Sequence, residues 1–103
     1  MKPLLEKEIQ RAILDYLEYK KIFVWKNNTV GIKKPDGHYI PAGRRGVADI
    51  LGVLPGGRFL AIEVKRQGTK ATSEQNEFLL RVGLMGGLAF VARSIDDVMK
   101  QGI

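Results

Sequence analysis

Apolar residues recur at three- and four-residue steps along residues 3–19, where Leu5, Ile9, Ala12, Ile13, Tyr16 and Leu17 form one stripe. That spacing predicts an amphipathic helix. Pro3 suits its first turn, and Glu6 and Glu8 complement the positive end of the helix dipole. The pattern then changes. Residues 22–26 are a β-branched and aromatic run that predicts a short strand. Residues 27–45 show no period and are expected to be irregular, with a small hairpin around the turn signal Pro35-Asp36-Gly37. Residues 47–54 and 58–65 are two apolar strands joined by Pro55-Gly56-Gly57, hence an antiparallel pair.

Beyond a polar loop, Thr72-Ser73-Glu74-Gln75 has the spacing of a capping box, with Thr72 as the cap and Gln75 reaching back. Phe78, Leu79, Val82 and Leu84 are expected on the buried side of the helix that follows, and Gly86-Gly87 ends it. Residues 88–92 predict a last strand, and Ser94 caps a short final helix. The order is α-β-β-β-α-β-α. It predicts one α/β domain over residues 1–103, a small mixed β-sheet flanked by helices.

Composition narrows the function more than the fold. The chain has 103 residues, 45% hydrophobic and 27% charged, as in an ordinary globular domain. A net charge of +6 favours a polyanionic partner such as nucleic acid. The absence of cysteine excludes disulfides and thiolate zinc sites, and the single histidine, His38, disfavours histidine-based chemistry. No apolar run reaches the ~20 residues of a membrane helix, and the N-terminus has no signal-peptide pattern, so no membrane partner and a cytoplasmic location are expected.

The chemistry concentrates in two strands. Phe59-Leu60-Ala61-Ile62-Glu63-Val64-Lys65 is an apolar run closing on an acid and a base two residues apart, so both project from one face of a strand. Asp49 opens the apolar run of the partner strand, and pairing across the Pro55-Gly56-Gly57 turn brings it to the same end of the sheet as Glu63. Two carboxylates held that close repel unless a cation lies between them, and oxygen ligands of this kind suit Mg²⁺. Beside such a site Lys65 can orient a nucleophile at a phosphate; alone it would be an ordinary surface ion pair.

Asp49 followed by Glu63-Val64-Lys65 resembles the PD-(D/E)XK nuclease pattern. The ordered set Glu6-Lys7-Glu8-Ile9-Gln10, Gly46-Val47-Ala48-Asp49-Ile50, Ala61-Ile62-Glu63-Val64-Lys65, Thr72-Ser73-Glu74-Gln75 and Gly86-Gly87-Leu88-Ala89-Phe90-Val91-Ala92 resembles its VRR-NUC branch, the virus-type replication-repair nuclease domain. Ala48 stands where that pattern has proline. The resemblance implies a restriction-endonuclease-like core, with Asp49, Glu63 and the Val64 carbonyl as ligands to Mg²⁺ or Mn²⁺. It makes Lys65 the residue that orients or activates the attacking water. The first-helix acid of the family matches Glu6, with Glu8 as the competing candidate. Gln75 matches a glutamine near the catalytic lysine; its capping role is the alternative, and both can hold.

The segment before Gly46 carries Lys33, Lys34, Arg44 and Arg45 against one acid, Asp36, and is expected to contact DNA phosphates or simply to be a solvated loop. Trp25 is expected in the core rather than as a base-stacking platform. Stand-alone, phage-type members of the family resemble four-way (Holliday) junction resolvases. A metal-dependent DNA endonuclease acting on branched DNA is therefore implied, working as a homodimer because two cuts need two sites. A less selective nicking or end-processing nuclease, and a non-catalytic nucleic-acid-binding module, are the alternatives.

Overall fold

The computed structural model describes residues 3–28, 32–40 and 43–103. Helix α1 (Glu6–Tyr19) is followed by strands β1 (Phe23–Lys26), β2 (Ile32–Lys33), β3 (Tyr39–Ile40), β4 (Ile50–Val53) and β5 (Phe59–Val64). Helix α2 (Ser73–Leu84), strand β6 (Leu88–Ala92) and helix α3 (Ile95–Met99) complete the chain. The expected order holds, with the small hairpin realised as β2 paired to β3 around Pro35-Asp36-Gly37. Residues 29–31 and 41–42, within the span expected to be irregular, lie outside the described residues.

The main sheet has the order β1-β4-β5-β6. Strand β4 runs antiparallel to both β1 and β5, while β6 lies parallel to β5 after the α2 crossover. The turn between β4 and β5 needs Gly56 and Gly57, both at φ near +90°. Strand β5 is central, which is why its sequence is nearly continuous in apolar residues rather than alternating.

The two faces of the sheet carry different cores. Leu60, Ile62 and Val64 of β5 point to the α1 side and join Ile9, Ile13, Leu14, Leu17, Ile50 and Val98 in the larger core. Ala61 faces the other way and meets Leu79, Phe78 and Val82 of α2 in the smaller one. On that second side α2 contacts β5 and β6. Strand β1, at the edge of the sheet, therefore leaves Phe23 and Trp25 without a helix over them.

Three expectations change as a result. Trp25 is not a core residue: it is 39% exposed and stacks obliquely on Phe23, with ring centroids 5.2 Å apart. Leu84 is 74% exposed; it lies five residues past Leu79, about 140° around the helix from the buried side. Helix α1 begins at Glu6, so Pro3 precedes the first turn instead of occupying it. The start of α1 is closed by Glu8, whose Oε1 accepts the Leu5 N–H at 3.0 Å.

Among the described residues, no helix is long and apolar enough to cross a membrane.

Candidate active site

Asp49 is held from both sides. Its backbone carbonyl accepts the Asn27 N–H at 2.7 Å, extending the β1–β4 pairing by one step. Its carboxylate Oδ2 accepts the Val64 N–H at 2.9 Å, standing in for a ladder acceptor where the β4–β5 pairing stops. The carboxylate is thereby aimed at the end of β5, where Glu63 projects from the same sheet face.

Glu63 is 2% exposed. Its Oε2 lies 3.7 Å from the Lys65 ammonium, and its Oε1 is buried with no hydrogen-bond partner among the described residues. Burial pushes the Glu63 carboxyl up to about 8, and the adjacent Asp49 carboxylate adds to the shift through a hydrogen bond to the protonated form and through its charge. Lys65 acts the other way, and the charge of Glu6 adds a smaller push upward. Of the two first-helix acids, Glu6 is half-buried and its charge is felt at Glu63, whereas Glu8 caps its own helix.

Lys65 is itself largely buried and extends the β5–β6 pairing, its N–H donating to the Ala92 carbonyl at 3.1 Å. Val64 is fully buried at the end of β5, and its peptide N–H ties it to Asp49. Gln75 sits in the first turn of α2, at the Lys65 end of β5 because the crossover helix runs back along the strand. Its side-chain oxygen accepts the Thr72 N–H at 2.9 Å, and the Thr72 hydroxyl accepts the Gln75 N–H at 3.2 Å, so the expected capping box is present.

The donor set fits a hard divalent cation. Two acids converge with a third near by, only one lysine offsets them, and one buried carboxylate oxygen has no donor. Among the described residues there is no cluster of three or more His, Asp or Glu of the kind that encloses a metal with side chains alone. Mg²⁺ rarely uses such a cage and keeps water or substrate oxygens among its ligands.

Gly46 is a residue whose importance the spacing alone did not reveal. It has φ +76°, and a Cβ there would collide with the Glu74 carbonyl and lie 3.0 Å from the Gln75 nitrogen. The Arg44–Asp49 segment thus passes directly against the start of α2, which fixes Asp49 relative to Gln75. The position of Gly46 directly after Arg44-Arg45 and three residues before Asp49 was the available signal.

The basic residues are placed less tightly. Lys33 and Lys34 lie exposed on the β2–β3 hairpin, whereas Arg44 and Arg45 lie exposed on the approach to Asp49. His38 is exposed as well, its Nδ1 3.0 Å from Asp36 Oδ2, which accounts for it without a role in the site.

Several solved structures share this architecture, two of which are VRR_NUC domains by name. One, a VRR_NUC domain protein, aligns over 97% of this chain and 86% of its own with a TM-score of 0.67 and 23% identity. Another, a VRR_NUC domain, aligns over 92% of this chain and 90% of its own with a TM-score of 0.69 and 27% identity. The fold is that of a VRR-NUC domain. No protein-family model and no curated protein sequence matches the chain. The expected small mixed sheet flanked by helices is therefore met by the architecture: in this VRR-NUC-like fold the four-stranded sheet carries Glu63 on β5 and Asp49 directly before the adjacent β4.

Proposed function

We propose that this VRR-NUC domain is a metal-dependent DNA endonuclease that hydrolyses phosphodiester bonds. The observation that carries the reading is the buried, donor-less Oε1 of Glu63 beside the Asp49 carboxylate and the Lys65 ammonium. A buried carboxylate in that position costs stability unless a cation or a proton satisfies it. Asp49, Glu63 and the Val64 carbonyl would hold Mg²⁺, or Mn²⁺ in its place, with Glu6 supporting the site from α1. When bound, the ion supplies Lewis-acid stabilisation of the phosphate and a lower pKa for water.

The chain's own residues do the rest. Lys65, fixed by Glu63 and by the β5–β6 pairing, orients the attacking water and offsets negative charge developing on the phosphate oxygens. The water oxygen forms a bond to phosphorus while the bond from phosphorus to one flanking sugar oxygen breaks, and that oxygen leaves with a proton. Gln75, at the head of α2, supports the position of Lys65. Lys33, Lys34, Arg44 and Arg45 hold backbone phosphates without reading sequence.

Branched DNA, such as a four-way (Holliday) junction, is the favoured substrate, and a homodimer supplies the two sites that paired cuts require. The substrate choice rests on the resemblance to junction-cutting members of the family, and the homodimer on there being one such site in the domain. Labelled junction, flap and linear duplex, each incubated with Mg²⁺, Mn²⁺ or EDTA, separate the possibilities. Paired metal-dependent cuts confined to the junction, and lost in Asp49→Ala and Lys65→Ala, are expected. Cutting of every substrate would replace the resolvase with a less selective nuclease, and tight binding without cutting would replace it with a binding module.

A further inference from the structure

A second cleft lies at the opposite end of β5 from the carboxylates. It has a volume of about 470 Å³ and is lined in part by Arg44, Arg58, Phe59, Phe78, Arg81 and Met85, with no acidic residue among the described residues that line it. Phe59 begins β5 on the same sheet face as Glu63. They are four residue steps apart along the strand, about 13 Å at ~3.3 Å per residue. Along a nucleic acid this is roughly four base steps at 3.4 Å each.

The three arginines are not equivalent. Arg58 is fixed in place, its Nε donating to the Gly86 carbonyl at 2.9 Å and its Nη2 to the Gly87 carbonyl at 3.4 Å, so it clamps the α2–β6 turn. Arg44 and Arg81 are exposed, and among the described residues neither is engaged by a carboxylate. A neighbouring recess of about 240 Å³ shares Arg44 and Arg81 and brings in Glu74 and Glu77. Those acids line the recess only. The cleft itself joins free cationic groups to aromatic surface, Phe59 being 37% exposed. Guanidinium groups match phosphate, and an aromatic face takes any unpaired base.

We propose that this cleft holds an unpaired nucleotide of the DNA strand, with its phosphate on Arg44 and Arg81 and its base against Phe59 and Phe78. The inference deepens the nuclease reading and rests on it for the identity of the strand. It gives a structural basis for acting where a duplex is interrupted: a flap, or a four-way junction whose bases open at the branch point, supplies an unpaired nucleotide a few steps from the phosphate to be cut.

Fluorescence anisotropy with a labelled 12-nucleotide single strand and a blunt hairpin duplex, across a salt series in EDTA, tests it without any cleavage. A failure of catalysis therefore leaves this result readable, and a failure here leaves the cleavage assays readable. Arg44→Ala/Arg81→Ala is expected to weaken single-strand binding at least tenfold and to lower the log–log salt slope by about 0.7, for the one phosphate that the pair holds. Phe59→Ala is expected to weaken it about tenfold with the salt slope unchanged, since stacking releases no counterions. Phe59→Leu, which keeps apolar contact but loses the ring, is expected to do the same and guards against a folding defect. Normal binding by the arginine variant or by Phe59→Leu would overturn the proposal, as would equal losses on the blunt duplex. Displacement of the strand by an equal concentration of a deoxynucleoside monophosphate would overturn it in favour of a free-nucleotide site.

Discussion

Replacing Glu63 by glutamine should make the metal-free protein more stable at pH 8 and remove most of its pH dependence. Burial and the facing Asp49 raise the Glu63 carboxyl from its ordinary value of 4.5 to about 8. Between those two values the folded protein keeps a proton that the unfolded chain has released, so stability falls as pH rises. The contribution is fully present below about 4.5 and is lost as pH climbs through about 8. Each pH unit in the interval costs about 1.4 kcal/mol, which sets a ceiling of roughly 5 kcal/mol. Water reaching the ionised carboxylate and the shared charge with Asp49 bring this down to a few kcal/mol, still a large share of the ~5–15 kcal/mol of a typical domain. Urea unfolding in EDTA at pH 5.5 and pH 8 measures it directly. Wild type should lose midpoint stability across the interval and Glu63→Gln should not, while Mg²⁺ at a hundredfold excess over its Kd should return about 2.7 kcal/mol to wild type at pH 8. Equal pH slopes for the two proteins would refute the reasoning, because they would mean that Glu63 is ionised in the fold without penalty.

The same geometry makes two further predictions. Asp49→Asn removes the charge opposing ionisation of Glu63, so the fall in metal-free stability should be complete at a lower pH than in wild type; an unchanged profile in the same urea series would disprove the coupling. Gly46→Ala combines a residue forced to positive φ with a Cβ driven into the Glu74 carbonyl. It should cost about 2–4 kcal/mol and displace Asp49, read as a lower urea midpoint together with reduced cleavage, whereas a near-neutral midpoint would show that the Arg44–Asp49 segment moves aside.

Much of the fold was legible because each element announced itself at its ends. Thr72 and Gln75 form the capping box their spacing implies, and β6 occupies residues 88–92 as expected. Asp49 and Glu63 could be placed together from strand pairing alone, since a tight turn fixes which residues lie opposite. The exposure of Trp25 and Leu84 was not legible. For Trp25 it depends on how far α2 extends across the sheet, a matter of tertiary packing that no local period records. For Leu84 it depends on which face of α2 the sheet takes: with Leu79 as the buried residue, Leu84 lies about 140° away. The closeness of Gly46 to Glu74 has the same character: positive φ is a common use of glycine, but contact with a helix 28 residues on leaves no local mark. The cleft near Arg58 joins residues from three separate segments, so it emerges only when the chain is folded.

The central claim is that Asp49, Glu63 and Lys65 form a site that cuts DNA with a divalent metal. Single-turnover cleavage of a labelled four-way junction at pH 8 with Mg²⁺, comparing wild type with the folded Glu63→Gln protein, tests it most directly. The account predicts metal-dependent product from wild type and none above background from Glu63→Gln. Cleavage by Glu63→Gln at the wild-type rate would contradict it.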